Sequence, residues 1–321
     1  MLHKYQEILD KTIGKQTFIQ EPVNLYEPID YIMKLSGKRI RPLLVLLATD
    51  AYNHSIDDAL AAALSVEIFH NFSLVHDDIM DHASLRRGNE TVHEKWNTNV
   101  AILSGDAMLI LAIQKLEKYK GKRFENLIHL LCSTALQVCE GQQMDVDFET
   151  KPYVLETDYI TMISKKTAVL VAAALQMGAI VAEVNKTEQT NIYNFGLNLG
   201  IAFQIQDDYL DAFGNPETFG KKVGGDILEN KKTFLFIKAL ESNNEKLKQE
   251  LLKLYQTKEQ NYLKIEKVKI IFKESEAAQK TLKAIENYTN IALQALENLS
   301  IAEEKKELLQ KFAHFLMTRN Q

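Results

Sequence analysis

The chain has 321 residues, 46% hydrophobic and 25% charged, an ordinary globular composition with room for one large or two medium domains. Its formal net charge of -5 argues against a nucleic-acid partner. The polar start of the chain predicts no signal peptide, and no apolar run reaches the roughly 18 residues that predict a membrane span. With only 2 cysteines, we expect a cytoplasmic protein.

Helical periodicity dominates the chain, because apolar residues recur at spacings of three and four and only 13 Gly and 5 Pro interrupt them. We predict an all-α, single-domain bundle over residues 1–321, with roughly ten or more helices. Loops are predicted near 36–37, 86–89, 120–122, 150–152 and 214–225. The stretches 59–75, 100–113 and 168–182 are apolar all round and should be central, whereas 240–315 should form peripheral amphipathic helices.

The first polar cluster is the segment SGKRIRP at 36–42, where three cations stand at the start of a predicted helix. Helix N-termini offer free N–H groups and Arg offers a fork matched to phosphate oxygens, so the segment is a candidate phosphate site. A basic cluster is as often a solvated face, and both interpretations stay open here.

A short carboxylate pattern occurs twice, in LVHDDIMD and in FQIQDDYLD. Residues four apart on a helix lie about 40° apart around its axis, so Asp77 with Asp81 and Asp207 with Asp211 each form a two-carboxylate claw. We call these pairs the first claw and the second claw. Asp78 and Asp208 point roughly 100° away from them.

Each claw lies in an apolar stretch, where unpaired carboxylates are costly to bury, so a cationic partner is expected. Magnesium fits better than zinc, because it takes one or two carboxylates together with phosphate oxygens of a substrate. Zinc-type His or Cys spacings are missing, and the seven-residue spacing of Cys132 and Cys139 favours core packing. A single such motif is usually solvated surface, but two inside apolar runs favour metal binding.

Further cations follow the claws along the chain. Arg86 and Arg87 come directly after the first claw, Lys165 and Lys166 precede Thr167 at the start of an apolar helix, and Lys221, Lys222, Lys231 and Lys232 follow the second claw. His70 stands two helical turns before Asp77, within about 20° of the same face. It is either a core residue or a phosphate contact.

These motifs together resemble the trans-type isoprenyl diphosphate synthases, also called prenyltransferases. The resemblance rests on SGKRIRP at 36–42, DDIMDHASLRRG at 77–88, KKTAVL at 165–170, FQIQDDYLD at 203–211 and GKKVGGDILENKKT at 220–233. Two departures from the family pattern are Ser36, where the family has Gly, and Asn230, where it often has Gly. The resemblance implies the isoprenoid synthase fold, with helices around a central cavity.

The implied reaction joins an allylic diphosphate, dimethylallyl, geranyl or farnesyl, to isopentenyl diphosphate by ionisation, condensation and elimination. About three magnesium ions would hold the allylic diphosphate, with Asp77, Asp81 and Asp207 as metal ligands. Asp78, Asp208 and Asp211 belong to the same motifs and are counted with the catalytic residues. Further allylic contacts would come from Arg86, Lys166, Lys221 and Lys231.

Isopentenyl diphosphate would bind a separate, metal-free site, for which the resemblance indicates Lys38, Arg41, His70 and Arg87. Thr167 and Gln204 could direct dipoles at the allylic cation. No residue stands out as the base for the final proton, so we assign that step to the departing pyrophosphate. Asp145 either reaches metal-bound water or has a structural role.

Chain length should depend on the residues beneath the first claw, Phe72 and Ser73, at five and four positions before Asp77. An aromatic residue there with an uninserted motif resembles the geranylgeranyl type, so a C20 product is favoured over the farnesyl alternative. A class I terpene cyclase and a non-catalytic helical subunit of a heteromeric synthase are the rival functions. Family members are commonly homodimers, and we expect a dimer here.

Overall fold

The structure is a computed structural model, and residues 2–215, 223–257 and 261–318 are described. The α-helices are α1 Leu2–Gly14, α2 Val23–Lys34, α3 Ile40–Ala51, α4 Ile56–Met80, α5 Val92–Lys95, α6 Thr98–Lys115, α7 Gly121–Thr150, α8 Glu156–Ile163, α9 Val169–Val181, α10 Lys186–Phe213, α11 Gly225–Leu228, α12 Phe234–Leu240, α13 Glu245–Gln256, α14 Tyr262–Glu274, α15 Ala277–Glu297 and α16 Glu303–Thr318. A 3₁₀ turn, Leu116–Lys118, follows α6, and a π-helical turn, Ser164–Ala168, joins α8 to α9. The prediction of an all-α chain with ten or more helices is confirmed.

The chain divides into two compact units. The first comprises Met1–Cys132 and Ala173–Thr190, and the second comprises Ser133–Ala172 and Asn191–Gln321. In the first unit, α4 packs against α3 and α6. In the second, side chains of α8, α10, α12 and α14 share one apolar core that includes Phe234, Phe236 and Phe272. The prediction of a single domain over residues 1–321 is not tested by this division and stays a prediction.

Two of the three stretches predicted to be central are buried. In α4 both Ala63 and Phe69 have no exposed surface, and α9 is buried along its length. The third stretch is different, because α6 leaves Ile102 41%, Leu103 59% and Ile110 55% exposed. The expectation that 100–113 is central was therefore wrong for one face of α6, whose apolar side chains point outward in the described structure.

Membrane spans were not predicted, yet three helical stretches are long and apolar enough by length and composition: Ile56–Met80, Thr98–Lys118 and Glu156–Val181. In the first and third, 67% and 72% of the apolar window is buried inside the protein, which is typical of core helices. In Thr98–Lys118 the buried share is 33%. The length and composition of a helix therefore do not show whether it crosses a membrane, and the absence of a membrane span stays a prediction.

The only sheet among the described residues is a two-stranded hairpin, and the sequence analysis missed it. Strand β1, Leu85–Arg86, pairs antiparallel with β2, Asn89–Glu90. The two residues between them have positive φ, 54° at Arg87 and 77° at Gly88, which is the backbone of a type I′ turn. Gly88, the second of the two turn residues, was the available signal. As a result Arg86 lies in a strand and Arg87 at the tip of a turn.

The cysteine prediction was also wrong. Cys132 and Cys139 are exposed free thiols on α7 and do not pack into the core. A spacing of seven residues puts both on one helical face, but it does not say whether that face is inside or outside.

Candidate active site

The first claw lies at the C-terminal end of α4, with Asp77 in the last turn and Asp81 at the cap. The Asp77 side chain is 23% exposed, whereas the Asp78 side chain is 1% exposed. Asp78 thus points inward, away from the claw, as the helical wheel indicated.

Arg86 on β1 compensates the buried carboxylate of Asp78. Its Nε donates to Asp78 Oδ1 at 2.9 Å and its Nη2 bonds the same oxygen, while Asp77 Oδ2 lies 3.9 Å from Nη2. Burial raises the pKa of Asp78 and the Arg86 bonds oppose that shift. Burial lowers the pKa of Arg86, but the bonds to Asp78 outweigh it and the pKa is raised. Arg86 is therefore a fixed cation next to the first claw.

The basic segment before α3 separates into an inward and an outward part. Arg39 is 8% exposed and in the left-handed region at φ 47°, and it bonds Glu67 and the carbonyls of Met33 and Leu35, both at 2.7 Å. It is a structural residue that closes the loop onto α4. Lys38, by contrast, is exposed.

Arg41, Arg87 and His70 form one cluster in the first unit. Arg41 Nη1 lies 3.0 Å from His70 Nε2, and since Arg can only donate, Nε2 accepts and the ring is neutral with its proton on Nδ1. Burial, then Arg41 and Arg87, holds the pKa of His70 well below its usual 6.5. The sequence analysis placed His70 among the contacts to isopentenyl diphosphate; in the structure it is a neutral acceptor that orients Arg41.

The two guanidinium groups of this cluster are desolvated cations. Burial lowers the pKa of Arg41 to about 10, and burial likewise lowers the pKa of Arg87. Among the described residues Arg41 Nε is a buried donor with no hydrogen-bond partner. Arg87 Nη1 donates to Leu35 O at 3.4 Å, and its guanidinium lies where a Cβ on Gly37 would stand. A desolvated cation pair with an unused donor is a suitable anion site.

The two residues expected beneath the first claw are both on α4. Phe72 is 9% exposed, and its ring lies 5.5 Å from that of Phe69 and 4.9 Å from that of His76. Ser73 is half-buried and its hydroxyl donates to His70 O at 2.8 Å. Phe72 is therefore a well-packed aromatic side chain, whereas Ser73 leaves little bulk at its position.

The second claw lies near the end of α10, in the second unit. Asp208 is 8% exposed and accepts hydrogen bonds from Tyr159 Oη at 2.6 Å and from Gln204 Nε2 at 3.0 Å. Gln204 Oε1 in turn accepts from Thr167 Oγ1 at 3.0 Å. Burial, and then Asp226, raises the pKa of Asp208 to about 8. Sequence reasoning missed Tyr159, because nothing local marks the aromatic residue that will meet a carboxylate 49 positions away.

Lys166 and Thr167 lie on the π-helical turn, which bulges towards α7. Gly141 on α7 makes room for it, since a Cβ there would meet the backbone of Lys165 and Lys166. Lys166 Nζ pairs with Asp145 Oδ2 at 2.6 Å. Asp145 therefore contacts Lys166, a residue of the same unit that the sequence analysis predicted to bind the allylic diphosphate.

The segment after the second claw is held by Asp211, which is 8% exposed. Its Oδ2 accepts from the Asp226 N–H at 3.0 Å, and its carbonyl accepts from the Gly224 N–H at 2.6 Å. Lys231 Nζ lies 3.7 Å from Asp226 Oδ1 and 2.9 Å from Glu229 Oε2. The predicted ligand Lys221, with Lys222, lies outside the described residues.

Within 2–215, 223–257 and 261–318, no group of three or more His, Cys, Asp or Glu side chains could hold a metal ion alone. The donors that the claws present are carboxylate oxygens, the kind of ligand that magnesium takes together with water and phosphate oxygens.

Comparisons with known proteins give the family. The polyprenyl synthetase family model matches residues 22–273. A short chain isoprenyl diphosphate synthase of Methanothermobacter thermautotrophicus is 34% identical, over 99% of this chain and 98% of its own. A geranylgeranyl diphosphate synthase of Saccharolobus solfataricus is 35% identical, over 92% and 90%. A crystal structure of a geranylgeranyl pyrophosphate synthase has a TM-score of 0.96 and 50% identity, covering 100% of this chain and 99% of that chain. The chain therefore belongs to the polyprenyl synthetase family of trans-prenyltransferases.

Proposed function

We propose that the protein is a magnesium-dependent geranylgeranyl diphosphate synthase that adds isopentenyl diphosphate to an allylic diphosphate. The pair Arg41 and Arg87 carries this proposal, because it supplies a cationic anion site distinct from the two carboxylate claws, and the nearby carboxylate of Glu67 is already bonded to Arg39. An enzyme that joins two diphosphates needs such a second site, whereas an enzyme with one diphosphate substrate does not.

Isopentenyl diphosphate binds Lys38, Arg41 and Arg87, with His70 as the residue that orients Arg41. A pKa of about 10 leaves Arg41 charged at neutral pH even though burial has lowered it. Its buried Nε gains a phosphate acceptor on binding, and such charge-assisted bonds contribute about 1.5–3 kcal/mol each.

Asp77, Asp81 and Asp207 would hold about three magnesium ions, which would bind the allylic diphosphate. Metal ions held there would supply positive charge against the negative charge that grows on the leaving pyrophosphate. Arg86, Lys166, Lys231 and Lys221 add cationic contacts to the same diphosphate. Asp78 and Asp208 support these ligands by holding Arg86 and by bonding Tyr159 and Gln204.

Ionisation of the allylic substrate gives a carbocation, and the chain must then exclude water and nucleophiles from it. The Thr167 hydroxyl donates to Gln204 and the Gln204 amide donates to Asp208, so both side chains are fixed as neutral dipoles. After the new carbon–carbon bond forms, the departed pyrophosphate takes the proton. A substitution scan would contradict this step if one side chain abolished elimination while ionisation continued.

The product is C20, with the farnesyl C15 product as the alternative. The packed ring of Phe72 beneath the first claw, with the small Ser73 beside it, supports a stop after a few additions. Geranylgeranyl synthases among the relatives support the same length.

We also propose a cytoplasmic homodimer. The outward apolar side chains Ile102, Leu103 and Ile110 of α6 are a surface that a second copy could cover. The exposed thiols of Cys132 and Cys139 are suited to a reducing compartment. Sedimentation at the monomer mass of 36.6 kDa in dilute solution would contradict the dimer.

One assay tests the reaction and its rivals together. The purified chain receives radiolabelled isopentenyl diphosphate with magnesium and dimethylallyl, geranyl or farnesyl diphosphate. A synthase moves the label into a longer diphosphate, and dephosphorylation with chromatography gives its length. A terpene cyclase releases an unlabelled hydrocarbon from the allylic substrate, and a non-catalytic subunit produces neither.

A further inference from the structure

The first turn of α14 contains a buried cation that the candidate active site does not explain. Lys264 is 2% exposed, although the sequence predicted a peripheral amphipathic helix here. Its Nζ donates to Asn230 Oδ1 at 2.6 Å and to Thr257 O at 3.3 Å. Burial of an ammonium group is costly unless hydrogen bonds compensate it, so these bonds must be specific and well ordered.

Asn230, which accepts the shorter of the two Lys264 hydrogen bonds, has an unusual backbone conformation. Its φ of 60° is left-handed, which Asn tolerates better than most residues other than Gly. Its side-chain Nδ2 donates to Thr257 O at 3.3 Å, so both ends of the amide are bonded. The next residue, Lys231, donates its N–H to Asp226 O at 2.9 Å. Asn230 therefore sets the direction in which the chain presents Lys231.

The same turn of α14 also contacts the other end of this segment. Gly224, at φ 89°, lies against the Ile265 side chain, and a Cβ there would meet it. The Gly224 N–H is bonded to Asp211 O at 2.6 Å. The segment 224–231 is thus held by α10 through Asp211 and by α14 through two consecutive residues, Lys264 and Ile265.

We propose that Lys264 is a positioning residue for the allylic diphosphate, acting through Asn230 to fix the backbone from which the Lys231 side chain extends. The inference rests on the proposed function, in which Lys231 contacts that diphosphate. The departure of Asn230 from the family glycine then has a physical consequence, because a glycine at this position would have no side-chain acceptor for Lys264. Small displacements of a binding group lower catalytic efficiency strongly, so a fixed anchor for a long, flexible lysine is useful.

The test is a double-mutant cycle between Lys264→Met and Lys231→Gln, read as the KM for the allylic substrate. Lys264→Met keeps the length of the side chain and removes its charge. We expect it to raise this KM about tenfold in the wild-type background and less than about twofold in Lys231→Gln, with the KM for isopentenyl diphosphate within about twofold throughout. Lys267→Met, an exposed residue of the same helix, is the matched control and should leave both constants unchanged.

Asn230→Gly is the second variant, because it keeps the left-handed backbone accessible and removes only the amide. It should reproduce the Lys264→Met pattern even if Lys264→Met does not fold. Equal effects in the two backgrounds, or a wild-type KM in Asn230→Gly, would overturn the positioning role. A wild-type chain without transferase activity on any allylic primer would instead overturn the proposed function.

Discussion

Gly37 leaves open the space that the Arg87 guanidinium occupies, so Gly37→Ala should displace this cation without removing it. A Cβ at residue 37 would stand 2.8 Å from Cζ and 2.9 Å from Nη1 of Arg87, closer than carbon atoms pack. The obstructed atoms are the far end of a flexible side chain, so the side chain should move and the fold should remain. The cost in unfolding free energy is therefore about 1 kcal/mol or less.

The expected kinetic effect is larger than the effect on stability. A charge-assisted hydrogen bond to phosphate contributes about 1.5–3 kcal/mol, and about 1.4 kcal/mol corresponds to a factor of ten. Loss of one Arg87 contact should therefore raise the KM for isopentenyl diphosphate at least about tenfold, and the KM for the allylic substrate by less than about twofold. Both constants are measured by incorporation of radiolabelled isopentenyl diphosphate at varied concentrations of each substrate.

Gly14→Ala is the matched control, because a Cβ at residue 14 would have nothing within 4 Å. It should leave both Michaelis constants at their wild-type values. The assignment of Arg87 to the isopentenyl diphosphate site is refuted if Gly37→Ala behaves like Gly14→Ala, or if it raises both constants equally in a protein that melts normally.

Asp77→Ala or Asp207→Ala should each lower kcat about 100-fold in steady-state assays, because each removes a ligand used as charge develops. Asp78→Ala should lower kcat less, and equal losses at Asp77 and Asp78 would show that the claw is misassigned. Phe72→Ala should lengthen the products, and an unchanged length on chromatography would remove Phe72 as the stop. Since the pKa of His70 is lowered in the folded protein, unfolded chains bind its proton first as the pH falls below about 6.5. The free energy of unfolding of the wild-type protein, measured by urea titration, should therefore decrease as the pH is lowered. Its decrease should exceed that of His70→Gln by up to about 1.4 kcal/mol per pH unit. Equal slopes for the two proteins would contradict a neutral His70.

The helices and the motif positions were predictable from the sequence, because both depend on local spacing. Apolar periodicity predicted helices across α4, α9 and α10, and the wheel placed Asp78 away from the first claw. The Asp78 side chain is only 1% exposed, which agrees with this direction. Solvent exposure of α6 was not predictable, since an apolar helix surface has the same pattern whether another helix or a second subunit covers it.

Arg86, which directly follows the first claw, could be expected from the sequence to balance its aspartates, but the partners of other buried cations were not predictable because several come from distant parts of the chain. Arg39 and Arg41 are two residues apart in one basic segment, but Arg39 bonds Glu67 and two carbonyls while Arg41 bonds His70. Lys264 lies in a Lys- and Glu-rich stretch and is nevertheless buried against Asn230. The amino-acid composition does not distinguish these cations from one another. Only the tertiary contacts show which cations have structural partners and which keep an unused hydrogen-bond donor.

The second aspartate of each DDxxD motif shows how far local geometry reaches. Asp78 and Asp208 each follow the first carboxylate of their claw by one residue, so each points about 100° away from it, and both are buried there. Each finds a different partner there, Arg86 for Asp78 and Tyr159 with Gln204 for Asp208. If either helix rotated about its axis, the buried carboxylate would lose these partners and the claw would move at the same time. The inward aspartate therefore fixes the rotation at which the outward one is presented, so one short motif can contain both a proposed metal ligand and the residue that anchors it.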